Sequence, residues 1–496
     1  MNTRGKRFVE SLKDGRSVWL DGKKVEDITT HPAFTGALGT LENLFDMLSD
    51  PVMQKKIGFR SPTTGEYVHN AFLVPTTQEH LRQRNEAFKI WADATYGVMS
   101  RLSEFARTLI TSWHATSEMF REYDNQYPDK IRQFYEFARD EDRFVIQAFG
   151  NPQIDRSKDA VGASDLDAHL RIVRKTSEGI YIKGAKTVAT GAPYAHDLII
   201  APNYQVKDTN PEYAHALIVP LNAEGIHMIC RESYASTNMD EHPLSARFDE
   251  MDAVIVFDNV FIPWERVLLH DHPEAVWKFY NTLKSNALTF HQTVVRLVSK
   301  LEFITGIAFA IAESIGVHTF LNVQEKLGEL ITQVETIKGL MHASEVTTRR
   351  DQFGMLIPSS VPLQTARNLG MRFYPRAIEI LQQIGAGGYT QTPSTTVENS
   401  GEIQAYIETY YRGANVSAAK KVKLFKIAWD IVGSPLASRH ELYERLYAGD
   451  PSRMYAIQYL ASDKKALEER LEQFWNSAGG SDAVDEFRGT VFATDK

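Results

Sequence analysis

Cysteine is nearly absent from this chain: 496 residues hold one, Cys230. That excludes a disulfide framework, and any iron–sulfur cluster or thiolate zinc site built within one chain. In GIHMICRES the lone cysteine reads as a small buried filler. A basic surplus is also missing, since 55 Lys and Arg face 63 Asp and Glu for a formal net charge of −8, which leaves nothing to neutralise a nucleic-acid backbone. No segment approaches the roughly 20 unbroken apolar residues of a membrane span, and the start, MNTRGKRFVESLKDGR, has no apolar signal core. A cytoplasmic protein is expected, with neither nucleic acid nor membrane as partner. Internal repeats and low-complexity tracts are missing too. So is a dinucleotide fingerprint, because the glycines of QQIGAGGYTQTP follow a helical stretch rather than a hydrophobic strand. The chain is therefore not expected to draw hydride from a nicotinamide itself. No metal site is expected: HELYE at 440–444 has Glu where a zincin needs its second His, and HDH at 270–272 reads as a turn.

What is present suits a folded protein of two or three domains, with 43% hydrophobic and 24% charged residues. From about 33 to 145 apolar residues recur three and four apart, as in TLENLFDMLSD and DKIRQFYEFARDEDRFVIQAF, with Pro51, Pro62 and Pro75 as interruptions. From about 146 to 275 β-type segments separated by Gly, Pro, Asn and Asp turns take over. The last of these, in MDEHPLSARFDEMDAVIVFDNVFIPWERVLL, places Val254, Val256, Asp258 and Val260 on one face and Ile255, Phe257, Asn259 and Phe261 on the other, and reads as packed on both sides. It exits at a Trp264-Glu265-Arg266 turn. Helical periodicity then resumes, with Leu297, Leu301, Ile304, Ala308 and Ile311 in register. The expected domains are 1–145 (helical), 146–275 (β) and 276–496 (helical bundle with a C-terminal tail). The mixed charges of LASDKKALEERLEQFW read as a solvated helix face.

The segments GKRFVESLKDGRSVWLDGKKVEDITTHPAF, NPQIDRS, HPLSARFDEMDAV and ASRHELYERLYAGDPSRM resemble the 4-hydroxyphenylacetate 3-hydroxylase family, the oxygenase components of two-component, reduced-flavin-dependent phenol monooxygenases. The resemblance runs nearly end to end and extends to chlorophenol and nitrophenol monooxygenases. It implies an α+β, mostly helical, acyl-CoA dehydrogenase-like fold with an N-terminal helical domain, a middle antiparallel β-barrel and a C-terminal four-helix bundle, assembled as a homotetramer. It implies FAD, received as FADH2 from a separate NAD(P)H:flavin reductase, and O2 as co-substrate. One oxygen atom would pass through a flavin hydroperoxide to a phenol-like ring, expelling halide or nitro where the attacked carbon carries one. An acyl-CoA dehydrogenase-like flavoenzyme and a non-catalytic flavin-binding oligomeric protein are the alternatives. A related branch resembling 4-hydroxybutyryl-CoA dehydratase needs cysteines that this chain lacks.

The resemblance also supplies site residues. Taken alone, QQIGAGGYTQTP is a glycine-rich helix end and turn. The family uses such a loop on the flavin pyrophosphate of a neighbouring subunit, which makes Gln383, Gly385, Gly387 and Gly388 cofactor candidates. Thr187 and Thr190, where a strand meets a Gly-Ala-Pro turn, join Gln147 and Asn151 beside the flavin, with Thr190 nearest its reactive edge. Arg101 stands four residues before Phe105, which puts both on one helix face, and its permanent charge suits a phenolate. Phe105 occupies the family's Tyr position and Gln147 its His position, so a ring other than 4-hydroxyphenylacetate, such as a heteroaromatic acid or indole, stays open. His291, in TFHQT, has the side chain to take a phenol's proton near neutral pH, and Arg439 matches a further position the family uses. The expected catalytic set is Arg101, Thr190, His291 and Arg439; substrate contacts fall to Arg101, Phe105, Gln147 and His291. Without the resemblance these would read as a surface arginine, strand threonines and a helix histidine satisfied by a neighbour.

Overall fold

Capping side chains and prolines set where the helices start. The Thr3 hydroxyl accepts from the Lys6 N–H ahead of α1 (Arg4–Ser11), His31 and Pro32 open α2 (Pro32–Asp46), and Thr77 caps α3 (Gln78–Ala94). Two more helices complete the N-terminal part, α4 (Ser103–Ala115) and α5 (Tyr127–Asp140). Pro51 does not interrupt a helix. It opens one, Pro51–Ile57, behind an Asp50 cap. The computed structural model describes residues 3–154, 169–281 and 283–477; the NPQIDRS segment beyond Ile154 and the tail beyond 477 lie outside them.

Among the described residues, ten strands build the two larger sheets: β1 (Val18–Leu20), β2 (Lys23–Val25), β3 (Val145–Ala148), β4 (Arg171–Lys175), β5 (Gly179–Thr190), β6 (Asp197–Ile200), β7 (His215–Pro220), β8 (Ile226–Cys230), β9 (Asp252–Pro263) and β10 (Val267–His270). The larger sheet runs β2-β1-β8-β9-β5-β4 and the smaller β10-β7-β6-β3. The expected antiparallel barrel is thus realised as two sheets. Most of their pairs are antiparallel, while β1–β8 and β3–β6 are parallel. The sequence gives no period-2 signal for β1 and β2, because three-residue runs are too short to show one; they are strands because Val18, Leu20 and Val25 bury their side chains.

β9 is the long strand anticipated around Val254–Phe261, with one correction. Ala253, Ile255 and Phe257 are buried and Val254 is exposed, so only one face is packed there. Register slips between Phe257 and Val260, with Asn259 at a φ of 55°. This bulge flips the phase, and the buried positions continue at Val260 and Ile262. The 264–266 turn follows as expected. Cys230, on β8, is half-buried, and burial pushes its thiol up to about 12.

The helices resume with α6 (Leu283–Ser314), α7 (Leu321–Val346), α8 (Ser360–Gly385), α9 (Ala418–Val432) and α10 (Pro435–Leu446). α6 is the hub, packed on α7, α8 and α9 and also on α3 and α4. Its predicted stripe, Leu297, Leu301, Ile304, Ala308 and Ile311, is buried. One hydrophobic core runs from Phe8 and Phe34 through Ile255 to Leu297 and Ile380. Residues from 448 onward form a second compact unit, of which α11 (Pro451–Ala461) and α12 (Lys465–Ser477) are described; α12 buries none of its residues, in line with its mixed charges. Among the described residues, no helix is long and apolar enough to cross a membrane.

Candidate active site

Strand pairing and one helix bring distant parts of the sequence to a single carboxylate. Thr190 ends β5 directly opposite Asp252, the first residue of β9, and the Thr190 hydroxyl donates to Asp252 Oδ1 at 2.6 Å. From α10, Arg439 donates through Nε to Oδ2 at 2.6 Å and through Nη2 to Oδ1 at 2.8 Å. Arg231 adds Nε to Oδ2 at 2.9 Å and pairs with Asp249 at 2.6 Å. Burial alone would raise the Asp252 carboxyl, yet Arg439 and Arg231 hold it at about 2. An ionised carboxylate only accepts. The Thr190 proton is therefore committed to Asp252, and what its oxygen offers to a ligand is a lone pair.

On the same strand, Ala253 pairs with Ala189 but Ile255 with Lys186, so Thr187 and Val188 bulge out of register. Val188 is 70% exposed at a φ of 56°, a strained conformation for a β-branched residue. The Thr187 hydroxyl donates to the Asn151 carbonyl at 3.1 Å, and Lys186 Nζ donates to Asn151 Oδ1 at 2.8 Å. Burial lowers that ammonium to about 7. Asn151, Thr187 and Thr190 thus belong to one strand-and-loop neighbourhood, with half-buried Gln147 on β3 leading into it.

Arg101 does not lie in a helix, since α4 begins at Ser103 after Leu102 at the cap. The expected pairing with Phe105 forms all the same: the guanidinium carbon stands 4.3 Å from the Phe105 ring centroid, 5.5 Å from that of Tyr443 and 5.6 Å from that of Tyr447. Its main-chain N–H donates to Glu250 Oε1 at 2.6 Å, and Glu250 Oε2 lies 3.5 Å from Arg439 Nη1. Arg101 Nη1 is buried with no hydrogen-bond partner among the described residues. Arg439, Tyr443 and Tyr447 recur every four residues along α10 and its end, a stripe about 6 Å per step that joins the Thr190 cluster to Arg101.

His291 is elsewhere. It is fully buried on α6, with Nε2 2.7 Å from Glu345 Oε1 of α7, and Asn85 of α3 hydrogen-bonds the same oxygen. Gln292, the next residue, donates to Glu104 at 3.0 Å and Arg296 pairs with Glu444. Neighbouring positions on a helix point about 100° apart, which turns His291 toward α3 and α7 rather than toward the stripe of α10.

The glycine segment forms the end of α8 and a turn. Ala386 follows Gly385 at a φ of 45°. A Cβ on Gly385 would come within 2.4 Å of the Tyr389 ring and one on Gly388 within 2.5 Å of Phe425, whereas Gly387 meets nothing nearer than Gln391 at 3.5 Å. Gln383 is exposed and bonded to Glu379 at 3.0 Å. Beside the turn lies a cleft of about 320 Å³ lined by Gly388, Gln391, Thr392, Tyr410, Lys421 and Phe425 among others. The Lys421 ammonium, hydroxyls and aromatic rings of this cleft fit a phosphate-bearing dinucleotide, and the polar groups at Asn151, Thr187 and Thr190 fit the edge of a flavin ring.

Against known families, residues 4–269 match the 4-hydroxyphenylacetate 3-hydroxylase N-terminal profile and residues 276–476 its C-terminal counterpart. The chain belongs to the 4-hydroxyphenylacetate 3-hydroxylase family. It is 34% identical to the 4-hydroxyphenylacetate 3-monooxygenase oxygenase component of Thermus thermophilus, covering 95% of this chain and 96% of that one. It is 31% identical to the oxygenase component of a Rhodococcus 4-nitrophenol 2-monooxygenase, over 90% of this chain and 86% of the relative. A crystal structure of a 4-hydroxyphenylacetate 3-monooxygenase oxygenase component with FAD and 4-hydroxyphenylacetate superposes with a TM-score of 0.91 at 34% identity, covering 96% and 98% of the two chains.

Within this 4-hydroxyphenylacetate 3-hydroxylase family member, Asp252, Glu250, Lys186, Tyr443 and Tyr447 were not anticipated. Helical spacing from Arg439 would have found the two tyrosines. The acidic run DEMD at 249–252 was the only mark of Asp252, because strand pairing with Thr190 is a long-range fact.

Proposed function

We infer that this protein is the oxygenase component of a two-component monooxygenase that adds one atom of O2 to a phenol-like or related aromatic ring, using reduced FAD made by a separate NAD(P)H:flavin reductase. The observation that carries the reading is Arg101, a guanidinium stacked among three aromatic rings with a buried, unpartnered N–H. Its charge suits a ring oxygen in its anionic form, which is also the form whose ring is most electron-rich. Reduced FAD, when bound, activates dioxygen and supplies the electrophilic oxygen. Thr190, oriented by Asp252, offers an acceptor to a cofactor N–H; Asn151, Thr187 and Gln147 line the same side. Arg439 fixes Asp252, and Phe105 forms one wall beside the ring held by Arg101. His291, bound to Glu345, enters only as a tie between α6 and α7. The Gln383–Gly388 turn serves the cofactor of a neighbouring copy in a homotetramer, and the enzyme works in the cytoplasm.

The test couples the protein to an unrelated flavin reductase with NADH and FAD, under isotopically heavy dioxygen, across a panel of phenols and heteroaromatics. One labelled oxygen in the product is expected. Arg101→Ala should keep consuming O2 while product falls about tenfold or more and hydrogen peroxide rises, as expected when the ring is no longer held in place. Labelled product from no compound, or bleaching of oxidised FAD by an acyl-CoA without reductase, would overturn the assignment.

A further inference from the structure

Among the described residues, two guanidiniums beside the α10 stripe are in no salt bridge. Arg101 is one. Arg367, on α8, is the other: it is 6% exposed, lies 3.6 Å from the Phe290 ring centroid and 5.9 Å from that of Tyr447, donates through Nη1 to the uncharged Gln364 at 2.8 Å, and leaves Nε buried and unpartnered. Among the described residues neither guanidinium is in a salt bridge, and the nearby carboxylates are committed. Glu444 takes Arg296 at 2.5 and 3.0 Å and Lys300 at 2.9 Å. Glu250 takes the Arg101 main-chain N–H and faces Arg439. Glu104 is bonded to Gln292, and burial raises it to about 7, so it carries only part of a charge at neutral pH.

Between the two cations stand two phenols. The rings of Tyr443 and Tyr447 stack with centroids 5.1 Å apart and planes 9° from parallel. Both hydroxyls are buried and donate to no acceptor among the described residues. Arg367 reaches the Tyr447 oxygen as a hydrogen-bond donor, a contact that uses a lone pair of the oxygen and leaves both phenolic protons uncommitted. Burial pushes the Tyr443 hydroxyl well up, so it keeps its proton. Buried donors left open at several converging side chains are rare in folded proteins and ask for an acceptor.

We propose that Arg101, Arg367, Tyr443 and Tyr447 form one receptor for the ionised oxygen of the substrate ring, the two tyrosine hydroxyls donating to it beside Arg101 Nη1. The proposal rests on the reading of Arg101 as the residue that holds the ring. The receptor selects phenolate over phenol because its two guanidiniums carry positive charge that no carboxylate offsets, while the tyrosine hydroxyls can orient to donate to an anionic oxygen. The substrate's proton is left with solvent, and no base beside the ring is required. Tyr443 and Tyr447 are positioning residues in this scheme: they fix and stabilise the anion without exchanging their protons.

The probe is 4-nitrophenol, whose ionised form absorbs in the visible, bound to the full chain without reductase. Wild-type protein is expected to bind the ionised form and to lower the probe's apparent pKa. Tyr443→Phe and Tyr447→Phe should each weaken binding of the ionised form about 10- to 100-fold, as for loss of one hydrogen bond to a charged acceptor, and return the bound probe's ionisation toward its free value. Arg367→Met should do the same, and Arg367→Lys should recover part of the loss. Should Tyr443→Phe not fold, Tyr447→Phe and the Arg367 pair carry the test. Variants that melt as wild type yet bind and ionise the probe as wild type would overturn the receptor while leaving hydroxylation by the wild-type protein intact. A wild-type protein that neither binds the probe nor turns over any phenol overturns the receptor together with the function assigned to Arg101.

Discussion

The two ends of the α10 stripe use similar groups to opposite effect. At Arg439, two guanidiniums and a hydroxyl converge on the ionised carboxylate of Asp252 and every strong group has a partner. Eight residues on, at Tyr447, the guanidiniums of Arg101 and Arg367 stand beside hydroxyls whose protons find no acceptor among the described residues. A saturated network rigidifies a fold, whereas buried donors left open ask for an acceptor. The first end therefore holds Thr190 in a fixed orientation, and the second is the one proposed to take an anion.

The contrast is broken most directly through stability. Asp252→Ala leaves Arg439 only its 3.5 Å contact with Glu250, while Arg231 keeps Asp249, and should cost about 2–3 kcal/mol, somewhat under the range for a fully buried pair because Asp252 retains some exposure. Arg101→Met strands no carboxylate side chain and should shift stability by about 1 kcal/mol or less. Denaturant unfolding of both variants reads the difference. Equal losses would mean that the Arg101 end is as saturated as the other.

A second, smaller effect concerns the buried carboxyl in the first turn of α4, Glu104. Glu104 is raised from 4.5 to about 7 by burial, against which its bond to Gln292 acts only in part. A folded-state value above the unfolded one means that the native state binds the extra proton between these pH values, so this contribution is complete below about 4.5 and is lost as pH rises through about 7. Between pH 5 and pH 8 the loss should be on the order of 2 kcal/mol. Glu104→Gln removes it: unfolding free energies at pH 5 and pH 8 should converge in the variant relative to wild type. A wild-type profile that Glu104→Gln leaves unchanged would show Glu104 to be ionised throughout.

Much of this was legible in the sequence, and what was missed has a common cause. The helix–sheet–helix order and the α6 stripe follow from periodicity, whereas the Arg101–Phe105 contact forms although Arg101 precedes the helix expected to hold both. β1 and β2 were missed because three residues carry no period, and the phase flip at Asn259 because a bulge adds a residue that alternation does not foresee. Motif matching brought Thr190 and Arg439 forward separately, but not the Asp252 that joins them, since a hub of charges is a property of pairing rather than of spacing. For His291 the residue type suits proton transfer, and its rotational position on α6, facing Glu345, gives it another partner.

The smallest expected effect separates the α10 stripe from the glycine turn, the one part of the candidate site read as serving a neighbouring copy. Gly387 has ordinary helical backbone, with a φ of −61°, and a Cβ there would make only an ordinary contact with Gln391 at 3.5 Å, so Gly387→Ala should change unfolding by no more than about 0.5 kcal/mol. Gly385→Ala must move the Tyr389 ring and its 2.8 Å hydrogen bond to the Leu381 carbonyl, at a cost of about 1 kcal/mol or more. If the turn meets a cofactor, the ranking reverses in binding. A Cβ at Gly387 then intrudes on ligand space, and FAD affinity, followed by flavin fluorescence, should fall severalfold for Gly387→Ala in the intact assembly while its melting stays put. An unchanged FAD affinity would reduce the turn to a helix stop whose glycines serve Tyr389 and Phe425, and would leave cofactor binding to the strand-and-loop neighbourhood of Asn151, Thr187 and Thr190.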